Sequence, residues 1–300
     1  MTENELAPSL LRADWPSVIE SRLASAGIED HQYVEVVIKL FESVQRGARS
    51  VGVAGSQGSG KSTLARVLQT LSEPLLGMRS VVLSLDDFYL TRSDRWLLAS
   101  VHPLLKTRGV PGTHEVDGLL AALSALLEGA VAEIPLFDKG EDDRKSPGRL
   151  VGPCDFVIVE GWCLGAEPEA QGRLIKAINP LEATEDHDGI WRQYVNAALA
   201  GDAYRRLTEL DFLLYLKPGS FDHVLGWREA QEQRFNHGQL QMNRAELERF
   251  IAHYERLTRW MMVDVPQRAQ LTVTLDRNHC IERVDEKPRE RASNVSRESQ

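Results

Sequence analysis

The chain has few of the features that mark secreted, membrane-spanning or nucleic-acid-binding proteins. Its 300 residues include only three cysteines, without C-x-x-C spacing, so neither a disulfide framework nor a cysteine-ligated metal is expected. No apolar run reaches about 18 residues, and no basic segment followed by an apolar one lies near Met1. These absences predict a cytoplasmic protein with no secretory signal and no membrane partner. A net charge of −9 argues against nucleic-acid binding as the main function.

The bulk composition is that of an ordinary globular protein. Hydrophobic residues make up 42% of the chain and charged residues 26%, which is close to the average for folded domains. A chain of this length supports one large or two small domains with a substantial core. Function must therefore be inferred from motifs.

A glycine-rich loop carries the strongest motif. Residues 55–62 match G-x-x-x-x-G-K-S, the phosphate-binding loop. A strand-type run, 50–54, precedes the loop, and apolar residues at helical spacing follow it from Leu64 to Leu71. Strand, turn and helix thus occur in the order that the motif requires, and we expect ATP to bind here. The candidate nucleotide contacts are Gly55, Ser56, Gln57, Gly58, Ser59, Gly60, Lys61, Ser62 and Thr63.

The loop residues have defined chemistry. Its glycines allow the main-chain N–H groups to wrap a phosphate, because glycine tolerates close approach and positive φ. Lys61 is placed to reach the β and γ phosphates, and Ser62 is placed to hold Mg²⁺. The predicted cofactors are therefore ATP and Mg²⁺.

Carboxylates follow the next two predicted strands. A buried-type run at 80–85 ends in Asp86 and Asp87, and another at 155–159 ends in Glu160. Because ligands of open α/β sheets bind beyond the carboxyl ends of the strands, these acids are well placed for chemistry. Asp86 is a candidate for contact with Mg²⁺ or an acceptor hydroxyl, and Glu160 matches the acid that orients Mg²⁺ in phosphate-loop enzymes.

Two polar stretches predict loops. Residues 91–114 combine glycine, proline and basic side chains with little periodicity, which is typical of a lid or a binding loop. The charged, turn-rich stretch 140–149 predicts a solvated loop. We expect the first stretch to supply binding residues and most charges of the second to be solvated.

Strand-type runs alternate with helical patterns along the chain. This alternation predicts a three-layer α/β fold, with a mostly parallel, doubly wound sheet between helices. Helical stripes predict an N-terminal extension, residues 1–49, that packs on a phosphate-loop domain, residues 50–285. Runs at 271–275 and 280–284 predict a terminal hairpin. The charged stretch 286–300 predicts a disordered tail.

A phosphate loop alone does not separate switches, motors and kinases. The chain lacks the N-K-x-D run that reads guanine in GTPases and the L-S-G-G-Q-like signature of ABC-type ATPases. It does have carboxylates that end two strands and a basic loop between them. This layout is typical of a small-molecule kinase, in which an Asp accepts the acceptor's proton and cations neutralise the transferring phosphoryl group.

The motifs resemble those of a known kinase group. The phosphate loop, the run from Leu85 to Tyr89 and the run from Val159 to Gly161 are similar to motifs of uridine kinase, phosphoribulokinase and pantothenate kinase. Within that group the chain resembles plant-type D-glycerate 3-kinase and its microbial relatives, from about Val51 to Met262. The motifs behind this resemblance are Asp86 to Thr91, Arg108-Gly109 with Gly112-Thr113-His114, Phe137-Asp138-Lys139 with Arg144, Glu160-Gly161-Trp162 and Trp227-Arg228.

The resemblance implies roles for the matched residues. Lys61 matches the phosphate-binding lysine, Asp86 the general base, and Glu160 a second Mg²⁺-linked acid. Arg228 matches a residue of a mobile lid that closes over the phosphates during catalysis. Its alternative role is a surface ion pair with Glu232 at i, i+4.

A D-glycerate site needs a fork-shaped cation for the carboxylate and a base near the terminal hydroxyl. Arg108 and Arg144 are the candidate forks, and His114 and Lys139 are placed to assist. The stretch that follows Lys139, Gly-Glu-Asp-Asp-Arg, departs from the longer stretch common in the family. The candidate acceptor contacts are Asp87, Tyr89, Arg108, His114, Asp138, Lys139 and Arg144.

The predicted reaction is Mg·ATP-dependent phosphorylation of D-glycerate to 3-phosphoglycerate. Aromatic residues near the acids, Phe88, Tyr89 and Phe137, keep a nucleoside acceptor open, and a pantothenate-like acid is a further alternative. A regulator that hydrolyses ATP slowly to switch partners is the alternative from another class. The oligomeric state is not predicted.

Overall fold

The computed structural model describes residues 12–235 and 243–287. Six of the strands form one sheet and two form a separate hairpin. The strands are β1 (Ser50–Gly55), β2 (Ser80–Ser84), β3 (Ala132–Asp138), β4 (Asp143–Val151), β5 (Phe156–Gly161), β6 (Phe212–Pro218), β7 (Leu271–Leu275) and β8 (Ile281–Glu286).

The central sheet has the strand order β2-β5-β1-β6-β7-β8. All neighbouring pairs are parallel except β7 and β8, which form the antiparallel hairpin expected at this point of the chain. The sequence order and the spatial order differ because β2 lies beside β5, away from β1. This arrangement confirms the predicted mostly parallel sheet and places β1, with its loop, inside the sheet.

The helices cover both faces of the sheet. Neighbouring residues of β5 show this, because Val157 and Val159 belong to one apolar cluster while Phe156 and Ile158 belong to the other. Such two-sided burial is typical of parallel sheets. The helices are α1 (Trp15–Ser25), α2 (Tyr33–Gln45), α3 (Lys61–Leu76), α4 (Arg92–Leu98), α5 (Val116–Leu127), α6 (Pro180–Glu185), α7 (Ile190–Ala200), α8 (Asp202–Arg206), α9 (Phe221–Phe235) and α10 (Arg244–Asp264).

The helices before the phosphate loop share a core with it. Ile19 of α1 and Phe41 of α2 are fully buried in the same cluster as Val53 of β1 and Leu68 of α3. Packing of α1 and α2 therefore supports the strand that carries the loop. The division of the chain at residues 49 and 285 stays a prediction, and the predicted disordered tail lies almost wholly outside the described residues.

The stretch 140–149 is not a solvated loop as predicted. Asp143–Val151 is a strand that pairs antiparallel with Ala132–Asp138, and the register shifts between Ile134 and Leu136. Pro147 lies opposite this irregularity, where a missing N–H costs no ladder hydrogen bond. Because most of β4 is exposed, it lacks the apolar alternation by which half-buried strands are recognised.

The predicted loop 91–114 also contains regular structure. α4 begins after Thr91, whose hydroxyl accepts a hydrogen bond from Asp94 N at 3.1 Å. A short 3-10 helix follows at Pro103–Lys106.

Among the described residues, no helix is long and apolar enough to cross a bilayer.

Candidate active site

The phosphate loop lies at the carboxyl edge of the parallel sheet. β1 ends at Gly55 and α3 begins at Lys61, so the loop joins the end of a central strand to the N-terminus of a helix. Gly58 and Gly60 have φ of +76° and +89°, a region that favours glycine. The helix N-terminus and the free main-chain N–H groups of such a turn attract phosphate.

Several buried polar atoms of the loop await a ligand. Ser56 and Ser59 are almost fully buried, yet their hydroxyls and Gln57 Oε1 have no hydrogen-bond partner within the described residues. Buried polar atoms normally have partners. A bound triphosphate would supply acceptors for the two serine hydroxyls.

The turn between β7 and β8 and helix α9 pack against the phosphate loop. His279, in the turn between β7 and β8, donates from Nε2 to the carbonyl of Gly58 at 2.7 Å. Trp227 of α9 stacks on the His279 ring at 4.6 Å. A Cβ at Gly58 would lie 2.7 Å from Trp227 Cβ, which leaves no room for a side chain. The loop is therefore held from outside as well as by its own strand and helix.

Glu160 gathers two hydroxyls at the end of β5. Its Oε1 accepts from Ser84 Oγ at 2.5 Å and from Ser62 Oγ at 3.1 Å, and its side chain is buried. Ser84 was missed by the sequence reasoning, although it ends β2 in register with Glu160. Hydroxyl and carboxylate oxygens are hard donors of the kind Mg²⁺ prefers.

The donor set fits Mg²⁺ bound together with nucleotide. The described residues hold no group of three or more His, Cys, Asp or Glu able to bind a metal alone. Mg²⁺ usually binds one or two carboxylates, keeps several waters and takes phosphate oxygens. Ser62 and Glu160 meet this requirement in contact with each other, and Asp86 belongs to the next turn of the same edge.

Asp86 lies in a short 3-10 helix, Leu85–Phe88, directly after β2. Lys139 Nζ lies 2.7 Å from its Oδ2, and Tyr89 OH donates to its Oδ1 at 2.7 Å. Burial opposes ionisation of this carboxyl, but the positive charges of Lys139 and Lys61 outweigh burial and hold its pKa well below the usual range. Asp86 is therefore an ionised carboxylate with a fixed orientation, able to accept further hydrogen bonds.

Asp87 is adjacent but differs in its electrostatics. Burial, with the nearby charges of Asp86 and Glu160, raises its pKa despite main-chain hydrogen bonding from Phe137 and the pull of Arg149. Two neighbouring carboxyls with opposite pKa shifts are suited to different roles. Relative to a free carboxyl, the surroundings favour the ionised form of Asp86 and the neutral form of Asp87.

Tyr89 connects Asp86 to a buried histidine. Its ring stacks on His114 at 4.7 Å and meets Phe137 edge-on at 5.1 Å. His114 Nδ1 lies 2.8 Å from Tyr204 OH, and burial lowers the pKa of His114 to about 4. His114 is thus a neutral packing partner of the Asp86 turn. Tyr204, on α8, lay outside every motif and was missed.

Arginines fix the β3–β4 hairpin against the rest of the site. Arg108 forms an ion pair with Asp142 in the hairpin turn, and its Nη2 donates to the Lys139 carbonyl at 3.3 Å. Arg95, which is almost fully buried, pairs with Asp142 Oδ2 at 3.0 Å and donates to its carbonyl. The hairpin turn is therefore clamped by two guanidinium groups that come from the 91–114 segment.

Arg144 is engaged with the main chain of the Asp86 turn. Its guanidinium donates to the carbonyls of Tyr89 at 2.6 Å and Phe88 at 3.2 Å and to Glu115 Oε2 at 2.5 Å. Asp138 caps the hairpin turn through the N–H groups of Gly140 and Glu141. These contacts give Arg144 and Asp138 clear supporting roles in the apo geometry.

The position of Arg108 depends on two aromatic residues. Trp162 Nε1 donates to the Gly109 carbonyl at 2.6 Å, and Tyr254 OH donates to the Arg108 carbonyl at 3.0 Å. Gly109 has φ of +127°, and a Cβ there would lie 2.2 Å from the Tyr254 hydroxyl oxygen. Tyr254 was assigned only to a helix face by its spacing, so its contact with the loop was not foreseen.

Arg228 of α9 contacts residues of α9 and α10. Its Nη1 donates to Gln231 Oε1 at 2.8 Å, and its guanidinium lies 5.3 Å from the Phe250 ring centroid. Its neighbour Trp227 packs on the phosphate loop. The side chain of Glu232, the alternative partner, lies outside the described part of the chain.

The fold and the site together define a class of protein. One edge of the parallel sheet carries the phosphate loop, the buried Glu160 in contact with Ser62, and the ionised Asp86 near Lys61. A cation, Lys139, contacts Asp86 there. This is an ATP-dependent P-loop kinase that phosphorylates an alcohol group of a small molecule.

Comparison with known proteins narrows the class to a family, although no family model matches the chain. It is 36% identical over 223 residues to the uncharacterized kinase mug58 of Schizosaccharomyces pombe, covering 68% of this chain and 77% of that protein. It is 32% identical over 213 residues to the probable ATP-dependent kinase TDA10 of Saccharomyces cerevisiae, covering 64% and 70%. The chain belongs to the family of ATP-dependent P-loop kinases that includes mug58 and TDA10.

Two proteins named D-glycerate 3-kinase are also similar. The chloroplastic enzyme of Arabidopsis thaliana is 28% identical over 224 residues, which are 68% of this chain and 45% of that one. The solved structure of the Cryptococcus neoformans enzyme superposes with a TM-score of 0.71 at 25% identity, covering 84% of this chain and 98% of that chain.

Proposed function

We propose that this kinase converts D-glycerate to 3-phosphoglycerate with Asp86 as the general base. The observation that carries the proposal is the pairing of this carboxylate with Lys139. Both belong to the acceptor end of the site, which comprises the turn at Asp86, the 103–114 segment and the β3–β4 hairpin. An ionised base and a cation lie within one hydrogen bond of each other. A hydroxy acid presents the matching pair of groups, a hydroxyl to be phosphorylated and a carboxylate.

The nucleotide end would bind and orient the triphosphate. The loop N–H groups and Lys61 hold the phosphates, and the orphaned hydroxyls of Ser56 and Ser59 gain partners. Mg²⁺, held by Ser62 and Glu160, would supply charge neutralisation to the phosphates. Arg228 is proposed to add positive charge when the α9 region closes.

Asp86 would take the proton of the acceptor hydroxyl as phosphoryl transfer proceeds. Its pKa is low for a base, but the transition state of phosphoryl transfer is loose and forms little bond to the nucleophile. Orientation of the hydroxyl then matters more than basicity. Tyr89 and Lys139 fix the carboxylate, so the hydroxyl has a defined position to occupy.

The aromatic residues favour a hydroxy acid over a nucleoside. Tyr89 is buried, and its ring stacks on His114 and meets Phe137 in an edge contact. A base that stacked on it would have to displace one of these rings. The rings therefore act as walls and supports of the acceptor end.

Release of ADP with different acceptors tests the proposal. We expect rapid ADP release with D-glycerate, and 3-phosphoglycerate as the product in phosphorus NMR, against background rates with uridine, pantothenate or no acceptor. Stimulation by uridine or pantothenate alone would assign another acceptor. Equal ADP release with and without every acceptor would refute the proposal.

A further inference from the structure

The ion pair between Lys139 and Asp86 is open to solvent on one side. The Lys139 side chain is 63% exposed and that of Asp86 26% exposed. Neither group is saturated, because an ammonium has three donors and a carboxylate about four acceptor sites. A small molecule can therefore approach both groups at once without breaking the contact between them.

Other cations around the hairpin have different partners. Arg108 pairs with Asp142, Arg144 with Glu115, and Lys145 with Asp138 at 2.6 Å. Arg108 also donates to the Lys139 carbonyl, so the main chain of Lys139 is held while its side chain extends to Asp86. The main chain of Lys139 is thus fixed, and its ammonium group pairs with Asp86, the proposed general base.

We propose that Lys139 is the specificity-determining residue of the acceptor site, bridging the acceptor's carboxylate to Asp86. The ammonium keeps its contact with Asp86 Oδ2 and donates a second N–H to the carboxylate, while Asp86 receives the acceptor hydroxyl. This inference rests on the proposed function and adds to it the residue that selects acids over neutral alcohols.

The bridge also limits the length of the acceptor. When the acceptor hydroxyl donates to Oδ2, the oxygen that Lys139 contacts, the 2.7 Å contact and two further hydrogen bonds of about 2.8 Å allow at most about 8 Å between the acceptor's hydroxyl and carboxylate oxygens. In D-glycerate the terminal hydroxyl oxygen and a carboxylate oxygen are four bonds apart, about 5 Å when extended. Across the nine bonds of pantothenate they are about 11 Å apart when extended, so that chain must fold back. The geometry therefore selects short hydroxy acids.

The experiment compares Lys139→Met with Lys145→Met as a matched control. Lys145 is on the same hairpin, is 62% exposed and pairs with Asp138 instead of Asp86. For each protein, kcat and KM are measured with D-glycerate and with glycerol, the neutral analogue of the same skeleton. Inhibition by D-lactate, which keeps the carboxylate and lacks the terminal hydroxyl, reports carboxylate binding separately.

We expect Lys139→Met to lose about 10- to 100-fold in kcat/KM for D-glycerate, mainly through KM, since a charge-assisted hydrogen bond is removed. The D-lactate Ki should rise by a similar factor. The ratio of kcat/KM for D-glycerate to that for glycerol should fall at least about tenfold, because loosening of Asp86 affects both acceptors whereas loss of the carboxylate contact affects D-glycerate alone. Lys139→Arg should recover part of the loss, and Lys145→Met should stay within about threefold of wild type.

An unchanged D-glycerate KM and D-lactate Ki in Lys139→Met would overturn the inference, as would equal losses in Lys145→Met. Failure of the proposed function is a distinct result, because wild type would then show no D-glycerate-dependent ADP release. In that case the bridge to a glycerate carboxylate fails with it.

Discussion

The two ends of the site are built in different ways. The nucleotide end is one continuous loop, 55–62, and its phosphate-binding groups are mainly its own main-chain N–H groups and hydroxyls. The acceptor end is assembled from distant segments that include the Asp86 turn, the 103–114 segment and the β3–β4 hairpin. Side chains such as Arg108 and Arg144 join these segments. A continuous loop can be recognised from spacing alone, whereas an assembled site depends on contacts between segments far apart in sequence.

The largest expected effect is a loss of kcat on substitution of Asp86, which belongs to the acceptor end. Asp86→Asn should lower kcat by about 100- to 10,000-fold, because the proton acceptor is lost. The ATP KM should change less than about threefold, since the loop is intact. Steady-state kinetics with both substrates varied checks this, and near-normal turnover would refute Asp86 as the base. Asp87→Asn is the neighbouring comparison, with the smaller expected loss of kcat.

Acid should weaken the acceptor end through His114. Burial lowers its pKa to about 4, below the unfolded value of about 6.5. The unfolded chain therefore binds the proton more readily, and stability falls as the pH drops from about 6.5 towards 4, by about 3 kcal/mol in full. His114→Gln should flatten this part of the pH dependence in urea titrations. An identical pH profile in wild type and variant would show that His114 is not the group responsible.

Removal of a clamp should damage the acceptor end alone. Arg144→Met removes the arginine donor of the Tyr89 carbonyl and one of the two donors of the Phe88 carbonyl, which keeps Glu115 N, and should cost about 1–3 kcal/mol of unfolding free energy. The D-glycerate KM should rise while the ATP KM is unchanged. Denaturant titration and kinetics measure the two effects. A rise in the ATP KM as large as that for D-glycerate would show that the two ends are not separable.

A smaller change targets the nucleotide end. Gly58→Ala places a Cβ against Trp227 in a backbone region unfavourable for alanine, at a cost of about 1–2 kcal/mol, and should raise the ATP KM about tenfold. Gly77→Ala is the control, because Gly77 has φ of +65° but open space around it. Both variants should lose stability. A normal ATP KM in Gly58→Ala would show that the loop accommodates the methyl group.

The central sheet and the nucleotide end were predictable from the sequence because each depends on local pattern. Buried parallel strands are continuous apolar runs, and the carboxyl ends of such strands must meet at one edge. Asp86 and Glu160 could therefore be placed before the structure was known. The terminal hairpin was recognised by the same kind of signal.

The acceptor end was only partly predictable because its supports are tertiary. β4 is exposed on both faces over most of its length and so has no apolar period. Arg95 and Arg144 could be recognised as basic residues, but not as buried or main-chain-bound ones. Tyr204 lies on α8, about 90 residues from the histidine it contacts, and no spacing rule connects the two.

The contact of Trp227 with the phosphate loop has an optical consequence. Its indole stacks on His279, which donates to the Gly58 carbonyl, so a shift of the loop alters the surroundings of one chromophore directly. The chain has six tryptophans, and the emission difference between wild type and Trp227→Phe isolates this one. We therefore expect Trp227 emission to change when triphosphate binds, so that its arrival can be timed in a stopped-flow instrument independently of any acceptor.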